Sequence, residues 1–171
     1  MTAYFSDKNA SRTVSLRDLR EVTIERFYMS EAFGSALLSG ALDELLDRVT
    51  DCYRDIFGSE PWNEYLKCKI KGCTGKIGVG EVLRSRDIRL QSSLSVAHLE
   101  AAGLLPYDTC CCPSCGGEME LFYPPDYTRE RIKTEFQKDI TGALLWDQQG
   151  KLSGFTCGWM TTYQELLADK Y

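Results

Sequence analysis

No stretch of the sequence is apolar for long enough to cross a bilayer. Its first residues, Met1-Thr2-Ala3-Tyr4-Phe5-Ser6-Asp7-Lys8, hold no apolar signal core. Neither a membrane span nor a secretion signal is therefore expected, and the implied location is cytoplasmic and reducing. Positive charge is also short: 20 Lys and Arg stand against 25 Asp and Glu, a formal net charge of -5. General neutralisation of phosphate needs a basic surface, so nucleic acid is not an expected partner. Histidine is nearly missing. The one present, His98, sits beside the apolar Ala97 and Leu99 on a helical stretch far from any other ligand type, and reads as an ordinary helix residue rather than a ligand or base. A phosphate-binding loop is absent too, because Ile77 follows Gly75-Lys76 where Ser or Thr is required.

Cysteine, by contrast, is abundant, with eight in 171 residues. Cys110, Cys111, Cys112 and Cys115 crowd into one stretch that ends Cys-Pro-Ser-Cys-Gly-Gly. Such a turn places two sulfurs on one side of a tight loop, where successive backbone N–H groups stabilise thiolates. Cys68 and Cys73, with four residues between them, supply a second pair. Clustered pairs in a reducing compartment point to a metal rather than to disulfides. The expected site is a four-cysteine zinc ribbon of Cys68, Cys73, Cys112 and Cys115, with Cys110 or Cys111 as substitutes for Cys112. Four sulfurs fill the tetrahedron, so this zinc is structural. Cys52 reads as a small buried hydrophobe.

Taken in order, residues 1–20 are polar and mixed in charge and predict a flexible arm. Glu21 to Met29 is β-branched and aromatic, a first strand. A helix follows from Gly40 to Phe57, with Ser39 as N-cap. Leu42, Leu45, Leu46, Val49, Cys52, Tyr53, Ile56 and Phe57 form its buried stripe, and Asp43, Glu44, Asp47, Asp51 and Asp55 its solvated side. The ribbon insertion spans 67–123. Lys67, Lys69, Lys71 and Lys76 surround its first pair and would offset the two negative charges of a zinc tetrathiolate. Between the pairs the pattern predicts a strand over Ile77–Leu83, an Arg-rich connector at Arg84, Arg86 and Arg89, and a short helix near Ser93–Ala102. Met119–Tyr123 closes the ribbon as a strand.

After Pro124-Pro125 a second helix is expected, capped by Thr128 and stapled by Tyr127 and Ile132. Its buried edge is Ile132, Phe136 and Ile140, and Gly142 stops it. Ala143–Trp146 and Lys151–Met160 flank the turn Asp147-Gln148-Gln149-Gly150 and predict an antiparallel hairpin. Gly154, Thr156 and Gly158 leave one face of its second strand nearly bare, a place for close packing or a ligand. Thr162-Tyr163-Gln164-Glu165 matches a capping box that opens a last helix, which has barely started at Tyr171. The chain is thus expected to be a fragment or to borrow a partner's surface.

This order of features resembles the N-terminal half of a GNAT-type acyltransferase, specifically the bacterial members that carry a zinc ribbon in that half. The residues concerned are the strand 21–29, the helix ending Tyr53-Arg54-Asp55-Ile56-Phe57-Gly58, the turn Pro61-Trp62-Asn63-Glu64, and the hairpin strand Gly154-Phe155-Thr156-Cys157-Gly158-Trp159. The resemblance implies an α+β fold: a partial GNAT-like mixed sheet with flanking helices, formed by 21–66 and 124–171, with the ribbon inserted. It also implies an acceptor-substrate wall of Trp62, Asn63, Glu64 and Trp159, with Glu64 a weak candidate base. The family's Gly-x-Gly pyrophosphate loop at a helix N-terminus is missing. Acetyl-coenzyme A would therefore be a cofactor, and amine acetylation an activity, only with a second half supplied downstream or on another chain. The alternative is a zinc-ribbon interaction module that holds a protein partner, or a second copy, through the ribbon or the hairpin edge.

Overall fold

The computed structural model describes residues 5–6, 12–15, 21–29, 40–90, 94–105, 110–136 and 140–159. The class is α+β, and the chain divides into two compact units, one of Met1–Leu46 with Arg131–Tyr171 and one of Asp47–Glu130. The second unit is wider than the insertion expected at 67–123. No described helix is long and apolar enough to cross a membrane.

The first unit is built on a sheet of five strands: β1 (Phe5–Ser6), β2 (Arg12–Ser15), β3 (Glu21–Met29), β7 (Ile140–Trp146) and β8 (Leu152–Trp159). The order is β1-β3-β7-β8, with β2 beside β1 on the same edge of β3. Two strands therefore form inside the stretch expected as an arm, pairing Phe5 with Tyr28 and Arg12 with Ile24. Their polar side chains hid them, because an edge strand draws its stability from ladder hydrogen bonds as much as from an apolar face. Where a mixed sheet was expected, every described pairing is antiparallel.

The β7–β8 hairpin forms where its turn residues place it. Asp147 accepts the N–H groups of Gln149 at 3.0 Å and Lys151 at 2.8 Å, an Asx-type turn that sets the register. A register shift leaves Ser153 unpaired between Gly154, opposite Leu145, and Leu152, opposite Trp146. One extra residue reverses the alternation, and Leu152 thereby joins Leu144 among the buried residues. A Cβ on Gly158 would meet no described group within 4 Å, so close packing is not why glycine stands there.

Helix α1 (Gly40–Gly58) runs across the boundary between the units. Its buried side turns as it goes. Leu45, Leu46, Val49 and Cys52 are buried as the spacing predicts, but further on Thr50 and Arg54 are buried while Ile56 is 37% exposed. The three-and-four spacing therefore fails at Ile56. The proposed cap Ser39 lies outside the described residues, as does the helix expected from Thr162.

In the second unit, β4 (Leu66–Cys68) pairs on one side with β5 (Lys76–Ile77) and on the other with β6 (Met119–Leu121). Of the strand expected over 77–83 only Ile77 lies in β5, and helix α2 (Val79–Ser85) follows. Glu81 is the reason: its carboxylate accepts the Gly78 N–H at 2.8 Å, satisfying a donor at the helix start. Helix α3 (Val96–Ala101) is capped by Ser95, whose hydroxyl accepts the His98 N–H at 3.2 Å and also bonds the His98 ring. Tyr65, Leu66, Val79, Val82, Leu83, Val96, Leu99, Leu105 and Met119 join the thiols of Cys68 and Cys112 in one core. At about 1.5–3 kcal/mol for each large apolar side chain taken from water, this core is a substantial part of the unit's stability. The segment between the cysteine pairs is thus packed structure.

Helix α4 (Pro125–Phe136) starts four residues earlier than a cap at Thr128 implies. Pro125 suits a first helical position because its missing N–H would have no partner there. Thr128 is therefore internal, donating its N–H to Pro124 O at 2.9 Å, and Tyr127 is 67% exposed and staples nothing. Ile132 and Phe136 are buried as predicted, but Ile140 opens β7 and Gly142 lies within it.

Candidate metal centre

Two turns bring the four predicted sulfurs together. At the first, the Cys73 N–H donates to Ile70 O at 3.0 Å, the Cys68 N–H to Gly75 O at 3.0 Å, and the Ile70 N–H to Cys68 Sγ at 3.4 Å. At the second, the Cys112 N–H donates to Gly117 O and the Gly116 N–H to Cys112 O, each at 2.8 Å. The pairing of β4 with β6, extended by the bond from the Lys69 N–H to Glu118 O at 2.9 Å, sets one turn against the other.

The ligand atoms of Cys68, Cys73, Cys112 and Cys115 all lie within 4.8 Å of one another. Cys68 Sγ is 3.5 Å from Cys115 Sγ, and Cys73 Sγ is 3.6 Å from Cys112 Sγ. A tetrahedron with metal–sulfur bonds near 2.3 Å has edges of about 3.8 Å, so the four sulfurs are positioned to hold a metal ion. The backbone is shaped to the same end. A Cβ on Gly75 would lie 2.3 Å from Cys112 Sγ, closer than any real contact. Gly75→Ala is therefore expected to push Cys112 out of position and weaken metal binding by at least about tenfold, the cost of ~1.4 kcal/mol of lost ligand geometry. Competition with a chromophoric chelator reads this directly.

Without metal the thiols hold their protons unequally. Burial acts on Cys112 most and raises it, but N–H groups of Ser114 and Cys115 and the thiols of Cys73 and Cys115 outweigh burial and bring it down to about 6. At Cys68 the Ile70 N–H favours the thiolate, yet burial and the three neighbouring thiols prevail and push it up to about 12. A bound metal displaces these protons, which couples its affinity to pH.

The remaining predicted residues fall elsewhere. Cys111 is exposed in a bridge with Glu118, and Cys110 packs on the core; neither belongs to the sulfur cluster. The lysines do not aim their charge at sulfur alone: Lys67 pairs with Glu120, Lys69 with Glu118 and Lys76 with Glu64. Glu64 is held in place, accepting the Tyr123 hydroxyl at 2.9 Å and Lys76 Nζ at 3.3 Å. Burial and this bond raise the Tyr123 phenol. Trp62 and Asn63 stand beside Glu64 in the second unit, whereas Trp159 belongs to the first. His98 is exposed and is not a ligand of the cluster.

One cluster went unread in the sequence. Arg54, only 4% exposed, places its fork on Glu100 at 2.9 and 2.6 Å and donates Nε to Tyr123 O at 2.9 Å. The Tyr65 hydroxyl bonds Glu100 at 3.0 Å and Leu105 O at 2.9 Å, and its pKa is raised by burial and then by Glu100. Arg54 stands in an acidic row on the helix, and nothing local marks it as buried.

No family model, no curated protein and no solved structure matches the chain.

Proposed function

We propose that this chain is a zinc-ribbon binding module, in which zinc closes the Cys68, Cys73, Cys112 and Cys115 centre and the unit it braces presents a surface to a protein partner. The observation that carries this reading is the mutual approach of four sulfurs at tetrahedral spacing. With all four positions taken, no site remains for water or substrate, which is the mark of a structural rather than a catalytic zinc. All eight cysteines are free thiols, which suits a reducing, cytoplasmic location.

Elemental analysis of the purified chain is expected to give about one zinc per molecule. X-ray absorption should then find sulfur alone in the first shell, in the wild type and in Cys110→Ser and Cys111→Ser. An oxygen or nitrogen ligand would mean an open, reactive metal, and a metal-free folded chain would end the proposal.

The run β3-β7-β8, with α1, the ribbon and α4 between its first two strands, favours a second reading. That is the succession implied by the resemblance to the N-terminal half of a GNAT-type acyltransferase. In this reading acetyl-coenzyme A is bound by a half supplied downstream or by another chain, and Trp62, Asn63 and Glu64 face the acceptor. Glu64, already engaged by Tyr123 and Lys76, serves position rather than proton transfer. This chain alone is silent towards acetyl-coenzyme A in calorimetry in both readings; a downstream segment or second chain carrying the Gly-x-Gly loop, which together with this chain binds acetyl-coenzyme A, favours the acyltransferase, and its absence favours the module.

A further inference from the structure

The four sulfurs of the centre are not equally open to solvent. Cys112 is 3% and Cys68 9% exposed, Cys73 is half-buried, and Cys115 is exposed. Glycine keeps one flank of Cys115 clear: a Cβ on Gly117 would stand 3.3 Å from its Sγ, and Gly116 beside it carries no side chain either. A metal-bound cysteine is a thiolate, the form that attacks electrophiles. Susceptibility to oxidation follows thiolate character and exposure, and Cys115 is the ligand that combines the two most fully.

An oxidised Cys115 needs a second thiol to finish as a disulfide, and the cluster supplies it. Cys68 Sγ lies 3.5 Å away on the other turn, and Cys73 Sγ and Cys112 Sγ make a matching pair at 3.6 Å. A disulfide bond is about 2.0 Å long, so neither pair has far to close. The exposed Cys111 is turned away. It is bridged to Glu118, and in such extended backbone successive side chains point to opposite faces, so a Cys112 that enters the cluster sends Cys111 out of it. Both sulfur pairs join one turn to the other, and their disulfides would tie β4 to β6 where the metal does in the reduced chain.

We infer that the cysteine centre is a hydroperoxide-sensitive switch, in which Cys115 is the sulfur attacked and Cys68 the sulfur that resolves it. This rests on the zinc-ribbon reading and adds a regulation to it. The Cys115 thiolate attacks one oxygen of hydrogen peroxide: an S–O bond forms, the O–O bond breaks, and the departing hydroxide takes a proton to become water. The Cys68 thiolate then attacks the Cys115 sulfur: an S–S bond forms, the S–OH bond breaks, and a second hydroxide leaves and is protonated. Two thiolates have lost two electrons and one peroxide has gained them. Only Cys73 and Cys112 remain as ligands, and a second peroxide closes that pair by the same two steps, leaving no sulfur to hold a metal.

The test adds hydrogen peroxide to the full-length, zinc-loaded chain and follows zinc with a chromophoric chelator against a peroxide-free control. Complete release is expected at about two peroxides per zinc. Peptide mapping should find Cys68 joined to Cys115 and Cys73 to Cys112, and a dithiol reductant with added zinc should restore the metal content. Dimedone, which traps sulfenic acids, should label Cys115 first. Cys115→His leaves three cysteines and a histidine, a set that still suits zinc, and should slow release by about tenfold or more, while Cys111→Ser should match the wild type. Dimedone labelling of the wild type reads the same point if the histidine variant holds no metal. Hydrogen-exchange protection of β4 and β6 in the oxidised chain should fall between that of the zinc-loaded chain and that of the reduced chain in chelator.

Any of four results would overturn the switch: zinc retained in a large excess of peroxide, first labelling at Cys73 or Cys111, a disulfide confined to one turn, or one that recruits Cys110 or Cys111. Zinc is measured in the starting sample. Zinc present and indifferent to peroxide defeats the switch alone, whereas a chain that never held zinc defeats the reading beneath it.

Discussion

Removing the metal, by a strong chelator or by Cys112→Ser, is expected to unfold the unit of residues 47–130. The scale of the effect follows from two magnitudes. A structural zinc held by a small ribbon contributes roughly 10–16 kcal/mol of apparent binding energy, whereas whole domains are stable by only about 5–15 kcal/mol. Here the coupling is closer still, since Cys68 and Cys112 are members of the hydrophobic core and not an appendage to it. Cys112 is 3% exposed, so its serine variant both loses a ligand and buries a hydroxyl. Cys115 is exposed, so Cys115→Ser should lose metal with less disturbance of packing.

Hydrogen exchange is the measurement, with β4, β5 and β6 expected to lose protection on chelation while β7 and β8, in the other unit, keep theirs. Cooperative melting of the second unit in excess chelator would contradict the prediction. Acid should act in the same direction. The Cys112 thiol is lowered from 9.0 to about 6. A group depressed in the folded state contributes stability above its unfolded value and loses it as pH falls, here between about 9 and 6. Protons and metal compete for the same sulfurs, so zinc should also leave as pH falls.

Arg54→Ala is expected to cost about 3–5 kcal/mol, the usual penalty for stripping one partner from a buried ion pair. Glu100 would keep its charge with only the Tyr65 hydroxyl beside it, and Tyr123 O would lose its donor. For a unit of this size the loss corresponds to a fall in melting temperature of roughly 15 °C or more. Arg54→Lys should recover only part, because an ammonium cannot span both carboxylate oxygens and the carbonyl as the guanidinium does. The double variant Arg54→Met with Glu100→Leu separates explanations. If the cost is an unpaired buried charge, the double variant should be more stable than Arg54→Ala. A single variant within about 1 kcal/mol of wild type would show that the pair is solvated in solution.

Much of the site was legible because its signal is local. The ligand assignment followed from the spacing of Cys68 to Cys73 and of Cys112 to Cys115, and the two turns that close on those sulfurs span only a few residues each. The choice among Cys110, Cys111 and Cys112 was not legible. Three adjacent thiols carry the same chemistry, and it is the tertiary structure, with Cys111 in a bridge to Glu118, that sets Cys112 among the other three sulfurs. Ile77–Leu83 shows the limit of composition. Its residues suit a strand, but Gly78 and Glu81 close a helix start, and a side chain returning to the backbone outweighs β-propensity in so short a piece.

From residue order alone came the helix over 40–57, the hairpin about Asp147 and the four clustered sulfurs. Each of these rests on periodicity, turn chemistry or ligand spacing within a few residues, and such interactions are written in the chain itself. The tertiary structure alone decided the burial of Arg54 against Glu100, 46 residues away, and Tyr123, 69 residues away. It alone placed Trp62 and Phe57 beside Tyr123, and tied Glu64 to the Tyr123 hydroxyl. Those contacts join segments whose separation leaves no period and no motif, so their existence depends on how whole elements pack and not on any neighbouring residue.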